Sequence, residues 1–410
     1  MCELGLLDPD WVPVEPADVD LDPPEARALA LRLAQRSVVL LANDGTLPLR
    51  PEARLAVVGP RAATFQAMLG CYSFPMHVLV HHPEVEAGLE IPTVREALAE
   101  THEVTYALGV PVVGGTDEEI AAAADAARGA EVCVVVLGDE AGLFGNGTSG
   151  EGNDVASLDL PGRQEELLEA LLATGTPVVA VLLVGRPYDL SRQVDRLAAL
   201  VCGFFPGEEG GPAVADVLTG RVNPSGRLPV SFPAAGATHP STYLAARLGQ
   251  RTDVSVVDPT PLFAFGHGLS YADATWGSVT ASKEEWATDG SVELRVELAN
   301  EADREVSEVV QVYLHDPVAS VVRPVQQLVG AVRVDLAVGE RATVRFALSA
   351  DLTSFTGRDL VRIVEPGAVE LRVGASSADI RATVPLRMVG PTRQVGVDRT
   401  LEPDVAVERS

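Results

Sequence analysis

Basic side chains are scarce in this sequence. Lysine occurs once, as Lys283, and 31 Lys+Arg stand against 58 Asp+Glu, a formal charge of -27. A Walker-type phosphate loop needs Gly-Lys-Ser/Thr, which this chain does not contain. Phosphate backbones and anionic lipid surfaces are repelled by so acidic a surface, so no nucleic-acid and no membrane partner is expected. Cysteine is rare too. Cys2, Cys71, Cys133 and Cys202 are widely spaced, form no Cys-x-x-Cys pair and have no partnering histidines, which argues against a zinc site or a disulfide framework. Reduced, mostly buried thiols are the expectation. No apolar run approaches the length of roughly 18 residues that a membrane helix needs. The acidic, proline-studded stretch Met1 to Pro23 lacks the basic and apolar regions of a signal peptide, so a cytoplasmic location is expected. There is no Gly-x-Ser-x-Gly elbow and no Gly-x-Gly-x-x-Gly directly at the end of a strand, which disfavours a serine hydrolase and a dinucleotide-dependent dehydrogenase. Aromatic residues are 5% of the chain and form no recognisable sugar-binding stripe. Neither a metal nor a cofactor is expected.

What the chain does contain is ordinary globular material, 410 residues with 47% hydrophobic and 22% charged side chains, enough for two or three domains. After an apolar helical pattern near 24–35, short strand-like runs alternate with helical ones. The runs are LAVVG (55–59), VTYA (104–107), EVCVVVLG (131–138), PVVAVLLVG (177–185) and AALVCGFF (198–205), with helices expected near 117–128, 162–174 and 210–219. Strands apolar on both faces and interleaved with helices predict a mostly parallel sheet covered on both sides, an α/β domain over 30–235. Residues 1–29 read as a lead-in linker and 236–277 as a linker arm. From 278 to 390 the pattern alternates with period two between turn residues, and six or seven short strands in roughly 110 residues predict a β-sandwich of the immunoglobulin or fibronectin type III kind. The polar tail 391–410 is expected to be loosely held.

In an open α/β sheet, ligands meet the loops at the carboxyl ends of the strands. The strand EVCVVVLG runs into the longest Gly-rich loop of the domain, Gly138 to Gln164, with glycines at 145, 147, 150 and 152. Glu151, between two of them, can approach a substrate oxygen as a general acid must. Spacing alone reads it more readily as an exposed loop glutamate. Asp139 and Glu140 are read as turn or cap residues, Asp154 and Asp159 as caps of the turn before the helix that begins near Gly162, and Glu208 and Glu209 as acidic residues at a helix N-terminus. The adjacent His81 and His82 cannot share one strand face. His267 reads as packed in a junction.

Six stretches, in order, resemble the C-terminal half of glycoside hydrolase family 3, the β-glucosidase and β-xylosidase family. They are RSVVLLANDGTLPL (36–49), GTSGEGNDVASLDLPGRQ (147–164), FFPGEEGGPAVADVLTGRVNPSGRLPVSFP (204–233), PLFAFGHGLSY (261–271), VVQVYLHDPVASVVRPVQQLVGAVRVDL (309–336) and VEPGAVELRVG (364–374). The resemblance implies an α/β sandwich followed by a fibronectin type III-like domain, normally preceded by a (β/α)8-type barrel. It implies that Glu151, within Ser149-Gly150-Glu151-Gly152-Asn153-Asp154, is the catalytic acid/base, with Ser149, Gly150, Gly152 and Asp154 as substrate-loop candidates. Many members carry Arg after the aspartate, where this chain has Val155. The family's nucleophile is a barrel aspartate in a Ser-Asp-Trp type context. This chain has no such motif, and its single Asp-Trp, Asp10-Trp11, looks like the exit from a barrel.

The implied function is therefore a retaining, exo-acting β-glucosidase or β-xylosidase, for which this chain supplies the acid/base loop and is inactive alone. Its implied partners are a β-linked glucoside or xyloside and an N-terminal barrel in cis or in trans. A homo-oligomer is allowed for. The alternative is a noncatalytic carbohydrate-binding or assembly module.

Overall fold

The computed structural model describes residues 3–13, 20, 22–79, 81–82, 84–234 and 242–410. Cys2 and the start of the expected arm, up to 241, lie outside them. In the first domain the strands are β1 (Val39–Asn43), β2 (Leu55–Val58), β3 (Val104–Ala107), β4 (Val132–Gly138), β5 (Val178–Leu183) and β6 (Ala199–Cys202). The helices are α1 (Pro24–Ser37), α2 (Phe74–Leu79), α3 (Val94–Ala99), α4 (Asp117–Arg128), α5 (Gln164–Leu172) and α6 (Gly210–Leu218). Two of the helix starts are written locally. Thr93 with Glu96, and Thr116 with Glu119, form capping boxes that satisfy the free N–H groups of α3 and α4.

The sheet order is β1-β6-β5-β4-β2-β3, all parallel except β1 against β6. Every residue of β4 and β5 is buried, so both faces must be apolar. Alternate side chains serve opposite layers. Val134 and Val136 pack with α3 and α6, whereas Cys133, Val135 and Leu137 pack with α4 and α5. In the order β3-β2-β4 the chain leaves β2 in one direction and returns past it to β4. The carboxyl ends of β2 and β4 therefore flank the point where the winding reverses, the place at which such sheets open a crevice.

Burial decides the reactivity of the thiols. The Cys133 and Cys202 thiols are each pushed up to about 12 by burial, whereas Cys71 is half-buried. In a Cys2→Ser background, a native thiol titration with an aromatic disulfide at about pH 8 is expected to find Cys71 alone reacting fast, since thiolate is the reactive form. Rapid reaction at Cys133 or Cys202 would contradict the buried core.

The second domain holds β7 (Thr275–Ala281), β8 (Glu285–Ala287), β9 (Ser291–Ala299), β10 (Val306–His315), β11 (Gln327–Leu336), β12 (Arg341–Ser349), β13 (Phe355–Thr356), β14 (Arg362–Val364), β15 (Gly367–Gly374), β16 (Ile380–Val389), β17 (Arg393–Gln394) and β18 (Asp404–Arg409). A sheet β11-β10-β15-β16-β8 faces a sheet β18-β12-β9-β7 across a core that includes Trp286, Val296, Val312, Val344 and Phe346. Lys283 lies exposed in the turn between β7 and β8.

The expectation of a loose tail is corrected. Residues 404–409 form an edge strand paired along β12 from Ala342 to Ala347, and Arg393–Gln394 pair with β14. The backbone of the tail completes two ladders, which polar composition alone does not reveal.

The two domains are knit together. Arg227 pairs with Glu308 of β10 at 2.9 Å, both side chains almost wholly enclosed, and Arg333 donates to the hydroxyl of Ser225 at 2.6 Å. The arm returns to the α/β body through bridges Phe232–Phe263 and Leu40–Leu269. His267 sits in that junction, its Nε2 2.9 Å from the carbonyl of Leu41 and its ring stacked on Phe263, and burial holds its pKa below the usual range.

Candidate active site

The Gly-rich loop leaves β4 through Gly138, whose φ of +152° favours glycine. A Cβ there would lie 1.8 Å from the carbonyl oxygen of Leu183. The next residue is the anchor. The Asp139 carboxylate is wholly buried and accepts hydrogen bonds from the Tyr188 hydroxyl, from Thr148 Oγ1 at 2.7 Å and from the Gly185 N–H at 2.8 Å. Three donors compensate the loss of water around a buried carboxylate and tie the loop to the end of β5. Asp139 is thus a staple rather than the turn or cap residue read from the sequence. The Tyr188 phenol pKa is raised, by burial first and by the Asp139 charge second.

The far end of the loop is fixed as firmly. Gln164, fully buried at the start of α5, donates from Nε2 to the Gly138 carbonyl at 2.9 Å and accepts the Gly138 N–H at 2.8 Å. Asp154 and Asp159 are exposed, and the N-cap of α5 is Arg163, without a side-chain cap. Neither aspartate performs the capping expected of it. Glu209 does stand at the N-cap of α6, where it pairs with Arg27 at 2.8 Å, yet burial outweighs that pairing and raises its pKa.

Between these anchors the loop folds on itself. Thr148 N–H donates to the Glu140 carbonyl at 2.8 Å, Gly142 N–H to the Ser149 carbonyl at 2.9 Å, and Asn153 Nδ2 to the carbonyls of Gly142 and Glu151 at 3.1 and 3.0 Å. Gly150, at φ +108°, has no room for a Cβ, which would lie 2.2 Å from the Gly142 carbonyl and 3.0 Å from Cys71 Sγ. Ser149 is buried, with its Oγ lacking a hydrogen-bond partner. Glu151 projects from the exposed tip, and its Oε2 accepts a hydrogen bond from the Tyr72 hydroxyl. Gly152 follows at φ +74°. Val155 is exposed.

Several neighbours were not singled out by sequence reasoning. Tyr72 and Phe74 follow the β2 side of the crevice with exposed rings, and Phe144, also exposed, holds a φ of +54° beside Gly152. Arg61 is buried at the same end of the sheet, with Nε and Nη2 unpartnered. Burial lowers its pKa against the opposing pull of Glu140 and Asp139. Only the strand order, which brings the β2 and β4 loops together, could have pointed to these residues. Among the described residues no group of three His, Cys, Asp or Glu side chains is arranged to hold a metal.

Comparison with known proteins identifies both domains. Residues 38–271 match the glycosyl hydrolase family 3 C-terminal domain, and residues 308–377 match a fibronectin type III-like domain. A β-xylosidase of Formosa agariphila is 35% identical over 398 residues, covering 94% of this chain and 53% of its own length. The periplasmic β-glucosidase of Salmonella typhimurium is 33% identical, covering 90% of this chain and 51% of its own. Among solved structures, the β-glucosidase of Listeria innocua in complex with isofagomine superposes with a TM-score of 0.79 at 30% identity, over 90% of this chain and 51% of that one. The chain spans about half the length of the curated relatives it matches. With two collinear domains matched in order and the Gly-rich loop at the carboxyl edge of the first, the chain belongs to glycoside hydrolase family 3.

Proposed function

We propose that this chain supplies the acid/base half of a retaining, exo-acting β-glucosidase or β-xylosidase, with Glu151 as the acid/base. The observation that carries the reading is the setting of Glu151: an exposed carboxylate on the tip of a loop whose base is clamped by Asp139 and Gln164, where the loops after β2 and β4 meet. A rigid base and an exposed carboxylate suit a group that must reach a glycosidic oxygen to within hydrogen-bond distance. The nucleophile comes from a carboxylate outside this chain, on a barrel joined to it or associated with it. That carboxylate attacks the anomeric carbon while Glu151 protonates the departing oxygen, and Glu151 then takes a proton from the water that releases the sugar.

The test uses the chain combined with the nucleophile-bearing half of a family member. Glu151→Ala is expected to lower turnover of alkyl glycosides by roughly 10^2- to 10^4-fold, the span of general acid catalysis. Azide should then restore turnover of a dinitrophenyl glycoside, whose leaving group needs no proton, and yield a β-glycosyl azide. Unchanged alkyl-glycoside turnover in Glu151→Ala would remove Glu151 from the mechanism.

A further inference from the structure

Among the described residues the Glu151 carboxylate has one side-chain partner, and it arrives from the other side of the winding reversal. Tyr72 lies on the loop after β2 and Glu151 on the loop after β4, 79 residues apart in sequence. The Tyr72 turn is itself fixed. Ser73 donates to the Gly70 carbonyl through its backbone N–H at 3.0 Å and through Oγ at 2.8 Å, and Gly70 lies against the Phe205 ring. Beside it, Cys71 Sγ packs against Gly150, the residue before the glutamate. Two contacts therefore join the turn to the loop, one apolar and one polar. The Tyr72 ring is 67% exposed, so packing alone does not hold it, and its hydroxyl is spent on Glu151.

We propose that Tyr72 is the positioning residue of the acid/base: its hydroxyl occupies Oε2 of Glu151 and so presents Oε1 to the glycosidic oxygen. The inference rests on the reading of Glu151 as that acid/base. In the first step the glycosidic C–O bond breaks, its electron pair stays on the leaving oxygen, and that oxygen takes the proton from Oε1 as the nucleophile bonds to the anomeric carbon. Negative charge then develops on the Glu151 carboxylate, where the phenol O–H already points. The hydrogen bond strengthens as the proton leaves, so it stabilises the transition state more than the ground state. In the second step Oε1 accepts the proton of the attacking water. The phenol keeps its own proton throughout, in keeping with a pKa raised first by its bond to Glu151.

Tyr72→Phe removes the donor and little buried surface. In the chain combined with a nucleophile-bearing half, kcat/KM for an alkyl glycoside is expected to fall about 10- to 100-fold, the range for a hydrogen bond to a charged group. For a dinitrophenyl glycoside, which needs no acid, kcat/KM should stay at the parent value. A purely structural lesion would lower both equally, and that result, like no change in either, overturns the proposal.

A second readout needs no catalysis. With the six tyrosines replaced by 3-fluorotyrosine, the fluorine resonance that Tyr72→Phe removes should titrate at lower pH in Glu151→Gln. An unmoved midpoint means that the contact does not exist in solution. Glu151→Gln also separates the two claims. Parent-like alkyl-glycoside turnover in that variant sinks both, whereas loss in Glu151→Gln with parent-like Tyr72→Phe sinks only the role of Tyr72.

Discussion

Alone, the 410-residue chain is expected to release no p-nitrophenol from an aryl β-glucoside or β-xyloside above the uncatalysed background. A retaining glycosidase needs two carboxylates about 5–5.5 Å apart, one to form the covalent intermediate and one to manage the proton. The clamps on the Gly-rich loop hold the base of the loop that carries Glu151, the carboxylate proposed above to manage the proton. Its single Asp-Trp pair, Asp10-Trp11, sits in an exposed turn ahead of the α/β domain rather than on a strand of it. Without a nucleophile, a loss of at least about 10^6-fold is expected, the lower end of what enzymes achieve over the uncatalysed reaction. Mixing the chain with a nucleophile-bearing half should restore turnover, and replacing the nucleophilic aspartate in that half should abolish it again. Hydrolysis by the chain alone, stopped by Glu151→Gln, would mean that the second carboxylate resides within these residues.

The other large effect is structural. Gly138→Ala would place a methyl group 1.8 Å from the Leu183 carbonyl, which belongs to the backbone of β5 and cannot swing aside as a side chain can. Its φ of +152° adds backbone strain for any residue with a Cβ. Relief requires parting β4 from β5 in the middle of the sheet, and Gly138 also exchanges two hydrogen bonds with Gln164. A destabilisation of about 4 kcal/mol or more is expected, in the range reserved for backbone strain and core disruption. Chemical denaturation of Gly138→Ala beside Gly45→Ala is the appropriate comparison, because a Cβ at Gly45 meets nothing within 4 Å. Equal stabilities would show that the β4–β5 edge can yield.

The parts of the fold legible in the sequence were those written in adjacent residues. VTYA at 104–107 is β3 to the residue, and the helix expected at 117–128 is α4, because Thr116 and Glu119 mark its start. The continuous apolar runs of β4 and β5 announced strands buried on both faces. What escaped depends on partners distant in sequence. DVAVER looks like polar tail until β12 supplies its other half. The same holds at the site. The flanking glycines drew attention to Glu151 and the resemblance of its stretch made it the candidate, whereas Asp139 looked like a turn residue because the donors that explain it include Tyr188, 49 residues further on. Asp159 failed as a helix cap because Pro161 and Gly162 stand between it and α5, leaving Arg163 at that position. Tyr72 had no local signature at all.

The solitary lysine has a practical corollary. Lys283 is exposed in the β7–β8 turn of the sandwich, while the crevice between β2 and β4 belongs to the other domain. Apart from the α-amino group, amine-directed dyes, cross-linkers or solid supports thus find a single side chain on this molecule, on the domain that carries no proposed chemistry. A fluorophore placed there reports tumbling without occupying the Glu151 loop.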